Sequence, residues 1–158
     1  MITKNLNRVF MPININITQK NILIVGGGKV AYHKIVLIMR FTNRIRVVAK
    51  EIIPEIKKLD IFCIEKAYEP YDLDGNFLVY AATNIPETNL QIYNDAHERN
   101  ILANVVDNPP VCDFVSPAIY IKDHMTVAVG SNARDVYKSI ELRDKIKEFI
   151  ENNPGIEI

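Results

Sequence analysis

The feature that most limits how this chain folds is the apolar, largely β-branched run Ile22-Leu23-Ile24-Val25. It passes without a spacer into Gly26-Gly27-Gly28 and then into Lys29-Val30-Ala31. Four apolar residues with no polar alternation suit a strand buried on both faces, the usual state of an inner strand of a parallel sheet. A parallel sheet needs crossover connections, and residues 29–40 supply one. Val30, Ile35, Leu37 and Ile38 fall at positions that suit a helix packed on a sheet. Asn43 tolerates the left-handed conformation and is expected to end that helix.

The same grammar repeats downstream. Residues 45–49 read as a second strand, Pro54 opens a short helix, and residues 61–64 read as a third strand. Asp72-Leu73-Asp74-Gly75 is a turn, and residues 77–82 form a fourth strand. Asn84-Ile85-Pro86-Glu87 reads as a helix start, with a cap candidate, a proline and an early acid. That helix is expected to reach about Arg99, before a fifth strand at 101–106. Strand and helix alternating in this way predict right-handed crossovers and a parallel sheet covered on both faces. After Asp107 the pattern breaks at Asn108-Pro109-Pro110. Residues 114–121 and 125–129 then read as two strands around the turn Lys122-Asp123-His124, followed by an amphipathic helix over 135–150. The expected fold class is α/β: a Rossmann-like NAD-binding domain over 1–112, then a small strand pair with a C-terminal helix over 113–158.

Charge and composition exclude several function classes. The 19 basic and 19 acidic residues cancel, whereas nucleic-acid and anionic-membrane binders carry a basic excess. No apolar run approaches the length of a membrane span, and residues 1–10 are too polar for a signal peptide. Cys63 and Cys112 form neither a disulfide framework nor a metal-ligand pattern. A cytoplasmic protein with no resident metal, nucleic acid or membrane partner is expected. His33, His97 and His124 are isolated in sequence, and both cysteines read as small buried hydrophobes.

The chemistry-bearing positions cluster at strand ends. Gly26, Gly28 and Ala31 match G-x-G-x-x-A between a strand and a helix. The first glycine permits the tight turn, the second lets backbone approach a pyrophosphate, and the small Ala31 lets helix and strand pack closely. The helix N-terminus adds unpaired N–H donors beside Lys29 and Val30. After strand two, Glu51 offers a carboxylate for a ribose, whereas Lys50 would favour a 2′-phosphate, which leaves NAD and NADP both open. Thr83 and Asn84 after strand four either contact ribose or nicotinamide or cap the next helix. Asp107 after strand five is either a turn former or a carboxylate available for proton abstraction. Asp113 is a lesser candidate of the same kind. Arg134, Lys138 and Arg143 are either solvated charge or one cationic face for an anionic ligand.

Taken in order, several of these stretches resemble one family. They are Phe10-Met11-Pro12, the run from Ile22 to Ala31 with Lys34, Val47-Val48-Ala49, and Phe77-Leu78-Val79-Tyr80-Ala81-Ala82-Thr83 with Asn89. Asn104-Val105-Val106-Asp107, Cys112-Asp113-Phe114 and Pro117-Ala118-Ile119 complete the series. The pattern, over residues 10 to about 130, is similar to precorrin-2 dehydrogenase, the module also found at the N-terminus of siroheme synthases. The resemblance implies NAD-dependent oxidation of precorrin-2 to sirohydrochlorin. Several members also insert ferrous iron, so ferrous iron or cobalt enters as a substrate. It implies that Asp107 matches the aspartate to which the chemistry is attributed, that Lys29-Val30 and Lys50-Glu51 lie at the NAD site, and that the protein is a homodimer. Removing one hydride and one proton forms the new double bond, and one carboxylate serves the proton.

Two departures accompany the resemblance. The family's Gly-Gly-x-Ser-Pro stretch is replaced by Gly130-Ser131-Asn132-Ala133-Arg134-Asp135-Val136, and the further helical domain of many relatives has no counterpart before Ile158. Good dehydrogenation with weak chelation is the expectation, with Arg134, Lys138 and Arg143 as replacement clamps for the substrate's carboxylates. A nucleotide-sensing module like those of potassium-channel regulators, or a non-catalytic relative, is the alternative. A sensor would carry a clear acid after strand two and give Asn104-Val105-Val106-Asp107 no role.

Overall fold

A computed structural model describes residues 9–106, 108–153 and 155. They fall into two compact units, residues 15–114 and residues 9–14 with those from 115 onward. This division differs from a cut after residue 112, since residues 9–14 go with the C-terminal elements.

The larger unit is the α/β one. Its elements are β1 (Ile22–Val25), α1 (Lys29–Ile38), β2 (Ile45–Ala49), α2 (Pro54–Lys57), β3 (Phe62–Glu65), a 3-10 turn (Pro70–Leu73), β4 (Leu78–Ala81), α3 (Pro86–Glu98) and β5 (Leu102–Val105). The sheet is entirely parallel in the order β3-β2-β1-β4-β5, with Ile22 beside both Ile45 and Leu78. This is the Rossmann-like architecture expected. The step from β1 to β2 runs one way along the sheet and the step from β4 to β5 runs the other. Crossovers of one hand therefore put α1 and α3 on opposite faces. On the α1 face Ile22, Ile24, Val47, Tyr80 and Ala82 pack with Ala31, Ile35, Ile38 and Ile56. The alternate residues Leu23, Val25, Val79 and Ala81 are equally buried and face the α3 side, where Ile92 and Ala96 are fully covered.

Local chemistry shifts some element ends. α1 stops at Ile38 rather than Arg40, because Phe41 and Thr42 return their N–H groups to the Ile38 carbonyl. Those bonds close the helix end without a left-handed residue, and Asn43 is not left-handed. Asn100, after α3, takes that conformation instead, at φ 55°. The strand expected from Phe114 begins only at Ala118. Phe114 is used elsewhere: its carbonyl accepts from the Asn104 amide at 2.8 Å, and its ring stands edge-on to Tyr80 at 5.3 Å.

The smaller unit pairs β6 (Ala118–Lys122) with β7 (Met125–Val129) antiparallel, through a turn in which Asp123 has φ 51°. Helix α4 (Val136–Asn152) packs on this hairpin. Asp135 caps α4 by accepting the Lys138 N–H at 2.9 Å, and the Ser131 hydroxyl accepts the Asp135 N–H at 2.9 Å. A carboxylate already at that helix start removes it as an anion site. The Phe10 N–H donates to the Asn132 side chain at 2.6 Å, which ties the N-terminal segment to the β7–α4 connection. No helix among the described residues is long and apolar enough to cross a membrane.

Where β1 leaves the sheet, its backbone passes between two neighbours. Gly26 has φ 135°, and a Cβ there would run into the Ala82 carbonyl; one at Gly27 would run into the Glu51 carbonyl. The chain is pinned in that gap by Gly26 N–H to Val48 O and Ile53 N–H to Gly27 O, both 2.9 Å. Gly27→Ala should therefore cost about 1–3 kcal/mol through overpacking. Urea unfolding measures this, and an unchanged midpoint would contradict the close approach.

Candidate functional site

The carboxyl ends of β1, β2 and β4 open into a cleft of about 840 Å³, formed wholly by the α/β unit. β1 stands where the connections reverse direction, the point at which open α/β sheets bind ligands. The glycine turn forms its floor. Gly26 and Gly27 are buried between other backbones, but Gly28 is exposed and a Cβ there would meet nothing. Gly28 is the N-cap of α1, and no side chain caps the helix. The first N–H groups of α1, at Lys29 and Val30, therefore meet the cleft beside an open backbone surface. Both residues line it and both are exposed. Ala31 is a correction: it is completely buried among the residues under α1 and packs the helix on the sheet without facing the cleft.

The wall after β2 carries Lys50 and Glu51, both exposed and both lining the cleft. Their loop is held from behind by Glu65, which accepts the Ile52 N–H at 3.3 Å and pairs with Lys57 at 2.9 Å. The Lys57 hydrogen bond holds the Glu65 carboxyl below the usual carboxylate range. Two acids thus share this corner; one faces the cleft and one fixes the loop. Tyr68, from the segment after β3, also lines the cleft, and its hydroxyl donates to Asp95 of α3 at 2.9 Å. Burial, then the Asp95 carboxylate, pushes the Tyr68 hydroxyl well above its ordinary range, so it serves as a fixed donor.

Thr83 and Asn84 line the opposite wall. Asn84 is not the helix cap expected from sequence: the N-cap is Ile85, without a side-chain bond. Thr83 organises the entry instead. Its hydroxyl accepts the Ile85 N–H at 3.1 Å and meets the Asn89 side chain at 2.7 Å. Buried Asn89 accepts the Thr83 N–H and donates to the Thr83 carbonyl, each at 3.1 Å. The six-residue spacing is what lets one side chain in the first turn of α3 bind both main-chain groups of Thr83. Asn84 is left exposed in the cleft.

Val106 lines the same cleft, and its N–H donates to Ala81 O at 3.0 Å. Asp107, which follows it, lies outside the described residues. Asp113 is taken up structurally: its carboxylate accepts the Ala103 N–H at 2.9 Å and meets the His97 ring at 3.0 Å. His97, read as isolated, is thus a partner of Asp113 and stacks near Tyr93. Arg134, Lys138 and Arg143 belong to the other unit and do not share one face. Five residues on a helix separate Lys138 from Arg143 by about 140°. Arg143 pairs with Asp144 at 2.6 Å and donates to the Ile119 carbonyl at 3.3 Å, and Lys138 lies 3.6 Å from its own cap Asp135. Among the described residues no group of three or more His, Cys, Asp or Glu is placed to hold a metal ion.

Sequence reasoning passed over Gly27, Glu65, Tyr68, Thr88 and Gln91. Only Gly27 carried a signal, as the middle of three consecutive glycines. The others lie at a strand end (Glu65), in a loop (Tyr68) or on a helix face (Thr88 and Gln91), where composition says nothing of direction.

Comparison with known proteins agrees with this geometry. The chain is 39% identical over 145 residues to the siroheme synthase of Baumannia cicadellinicola, covering 89% of this chain and 31% of that protein. It is 34% identical over 150 residues to siroheme synthase 1 of Cronobacter sakazakii, covering 92% and 32%. The siroheme synthase of Buchnera aphidicola is 33% identical over 150 residues, with 92% and 32% covered. The chain thus spans about a third of the length of these relatives. Among solved structures, SirC, precorrin-2 dehydrogenase, superposes with a TM-score of 0.71 at 19% identity, covering 91% of this chain and 70% of that one. A family model described as "Putative NAD(P)-binding" matches residues 13–118. The match takes in the glycine turn, both walls of the cleft and the whole parallel sheet, and the chain belongs to that NAD(P)-binding family.

Proposed function

We propose that this chain oxidises precorrin-2 to sirohydrochlorin with NAD, as the dehydrogenase module of siroheme formation. The observation that carries the cofactor reading is the inequality of the three glycines. Gly26 and Gly27 are spent on the fold, whereas the missing Cβ of Gly28 leaves open space over an uncapped helix start. A pyrophosphate needs such a cradle. The cleft volume also falls within the range of about 300–1,000 Å³ typical of ligand sites. Similarity to siroheme synthases over most of this chain supports the substrate.

The residues divide the work as follows. The N–H groups at Lys29 and Val30 face the pyrophosphate, with the Lys29 ammonium adding charge. Glu51 receives the adenosine ribose hydroxyls, which favours NAD over NADP, and Lys50 lies beside it. Thr83, held by Asn89, presents a fixed main chain, and Asn84 offers an amide from the same wall. A bound nicotinamide supplies the hydride acceptor. Asp107 takes the proton released as the new double bond forms, since a carboxylate at the carboxyl edge can act as general base. Val136, Tyr137 and Phe149, all exposed on α4, support self-association as a homodimer. Ferrous iron or cobalt is a second substrate, inserted slowly if at all, because the stretch from Gly130 to Val136 departs from the family there.

The first test is turnover: precorrin-2 and NAD should give sirohydrochlorin and reduced nicotinamide in equal amounts. Tight NAD binding without turnover would favour a nucleotide sensor. Gly28→Val should abolish NAD binding by calorimetry and leave the melting temperature nearly unchanged, because its side chain meets only the cleft. Asp107→Asn should keep NAD affinity and lower turnover by about 100- to 10,000-fold; wild-type turnover would make Asp107 a turn residue only.

A further inference from the structure

A second hollow opens at the amino ends of the strands, away from the cleft. It has a volume of about 570 Å³, within the range of about 300–1,000 Å³ typical of ligand sites, and its walls include Asn21, Arg44, Arg46, Asp60, Phe62 and Asn76. All of these residues belong to the α/β unit. Ile45 and Val47 are buried on the α1 face, so Arg46 between them points to the α3 side. Phe62 is the register partner of Arg46 on β3 and stands beside it, 64% exposed. The β3–β4 connection runs on that side of the sheet, but its short 3-10 turn leaves both residues open to the hollow.

The inner strands of a covered sheet carry apolar side chains, and a half-buried arginine at this place calls for an anion. Arg46 donates to the Asp72 carbonyl, while its Nε is buried without a hydrogen-bond partner among the described residues. Arg44 lies two residues earlier, where the ladder still holds through Ile22 N–H to Arg44 O at 2.9 Å, so it shares the same side of the strand. Neither arginine forms an ion pair among the described residues. The neighbouring sequence supplies no counter-charge: residues 1–50 hold nine Lys and Arg and no Asp or Glu. A guanidinium drawn partly out of water is costly until an anion meets it. The rim has two carboxylates of its own. Asp74 is taken by Arg99 at 3.4 Å, and Asp60 is exposed and opposes an anion. Asn21 donates to Gly75 O at 3.2 Å and Asn76 donates to Asp72 O at 2.9 Å, which fixes the wall opposite β2.

We propose that this hollow is a second binding site, for a small organic anion that carries a planar ring. Its phosphate or carboxylate lies on the guanidinium groups of Arg44 and Arg46, whose forked donors suit either group. Its ring lies against Phe62, which otherwise leaves an aromatic face in water. The site is separate from the dinucleotide cleft. Strand β2 carries Arg46 near its start and Lys50 just past its end, about 13 Å apart at the usual rise per residue. Both sites can therefore be filled at once.

The probe is phenyl phosphate, titrated into the full chain by calorimetry with and without NAD. Wild type should bind one equivalent with a Kd below about 1 mM in the presence of saturating NAD. Arg44→Gln and Arg46→Gln should each weaken binding about 10-fold, the cost of a lost charged hydrogen bond. Phe62→Ala should weaken phenyl phosphate but not inorganic phosphate. Asp60→Asn removes an opposing charge and should tighten both. Arg44 is exposed, so Arg44→Gln gives a folded variant if Arg46→Gln is unstable. Gly28→Val separates the two sites and should leave phenyl phosphate binding as in wild type. No binding at about 10 mM phenyl phosphate would overturn the proposal, as would equal affinity in wild type and Arg44→Gln. Loss of binding in Gly28→Val or under saturating NAD would place the anion in the other cleft and overturn it too. An equal effect of Phe62→Ala on both probes would have the same force.

Discussion

The site depends on backbones that pass one another with no side chain between them. At Gly26 and Gly27 the chain leaving β1 is wedged between the ends of β4 and of the β2–α2 connection. That contact brings Lys50, Glu51 and Thr83 to a common rim around Gly28. If β1 ended in residues with side chains, both neighbours would have to withdraw and the walls would separate. Close packing inside proteins resists such adjustment, which is why the constraint is local and severe.

Once the strands are fixed, single polar side chains hold the loops to them. Asn89 binds both main-chain groups of Thr83; Glu65 binds the loop of Glu51; Asp113 and Cys112 bind the two ends of β5. Each such bond contributes only about 1 kcal/mol net, but leaving its buried partner unmade costs more. The segment from Cys112 to Phe114 also covers the outer edge of β5, whose N–H and C=O groups would otherwise offer a template for another strand. Phe114 completes the α1 face over β4, with its ring edge-on to Tyr80.

Much of this was legible in the sequence. The run from Ile22 to Val25 and the repeated strand–helix alternation were enough for a parallel, doubly covered sheet, because hydrophobic period and turn chemistry are local. Gly26, Gly28, Lys50, Glu51, Thr83 and Asn84 all reach one cleft because strand ends are the places that topology brings together. Contacts between distant segments were not legible. Asn84 looked like a cap by composition, yet the N-cap is Ile85, and Thr83 orders the entry to the helix through Asn89, a residue one turn into it. Phe114 looked like strand, yet a partner ten residues earlier claims its carbonyl. Arg143 looked like free charge until the hairpin carbonyl of Ile119 met it.

The connection between β3 and β4 has a consequence for the cleft. It crosses the sheet with a four-residue 3-10 turn, Pro70–Leu73, in place of a full crossover helix. β3 is consequently thinly covered, and Phe62 is 64% exposed, whereas every residue of β1 and β4 is buried. Local opening follows the density of buried contacts, so amide hydrogens of β3 and α2 should exchange with solvent well before those of β1 and β4. The half of the domain that carries Lys50 and Glu51 is then the softer half. A dinucleotide seated there would contact a region it helps to order, and part of its binding free energy would appear as protection of β3.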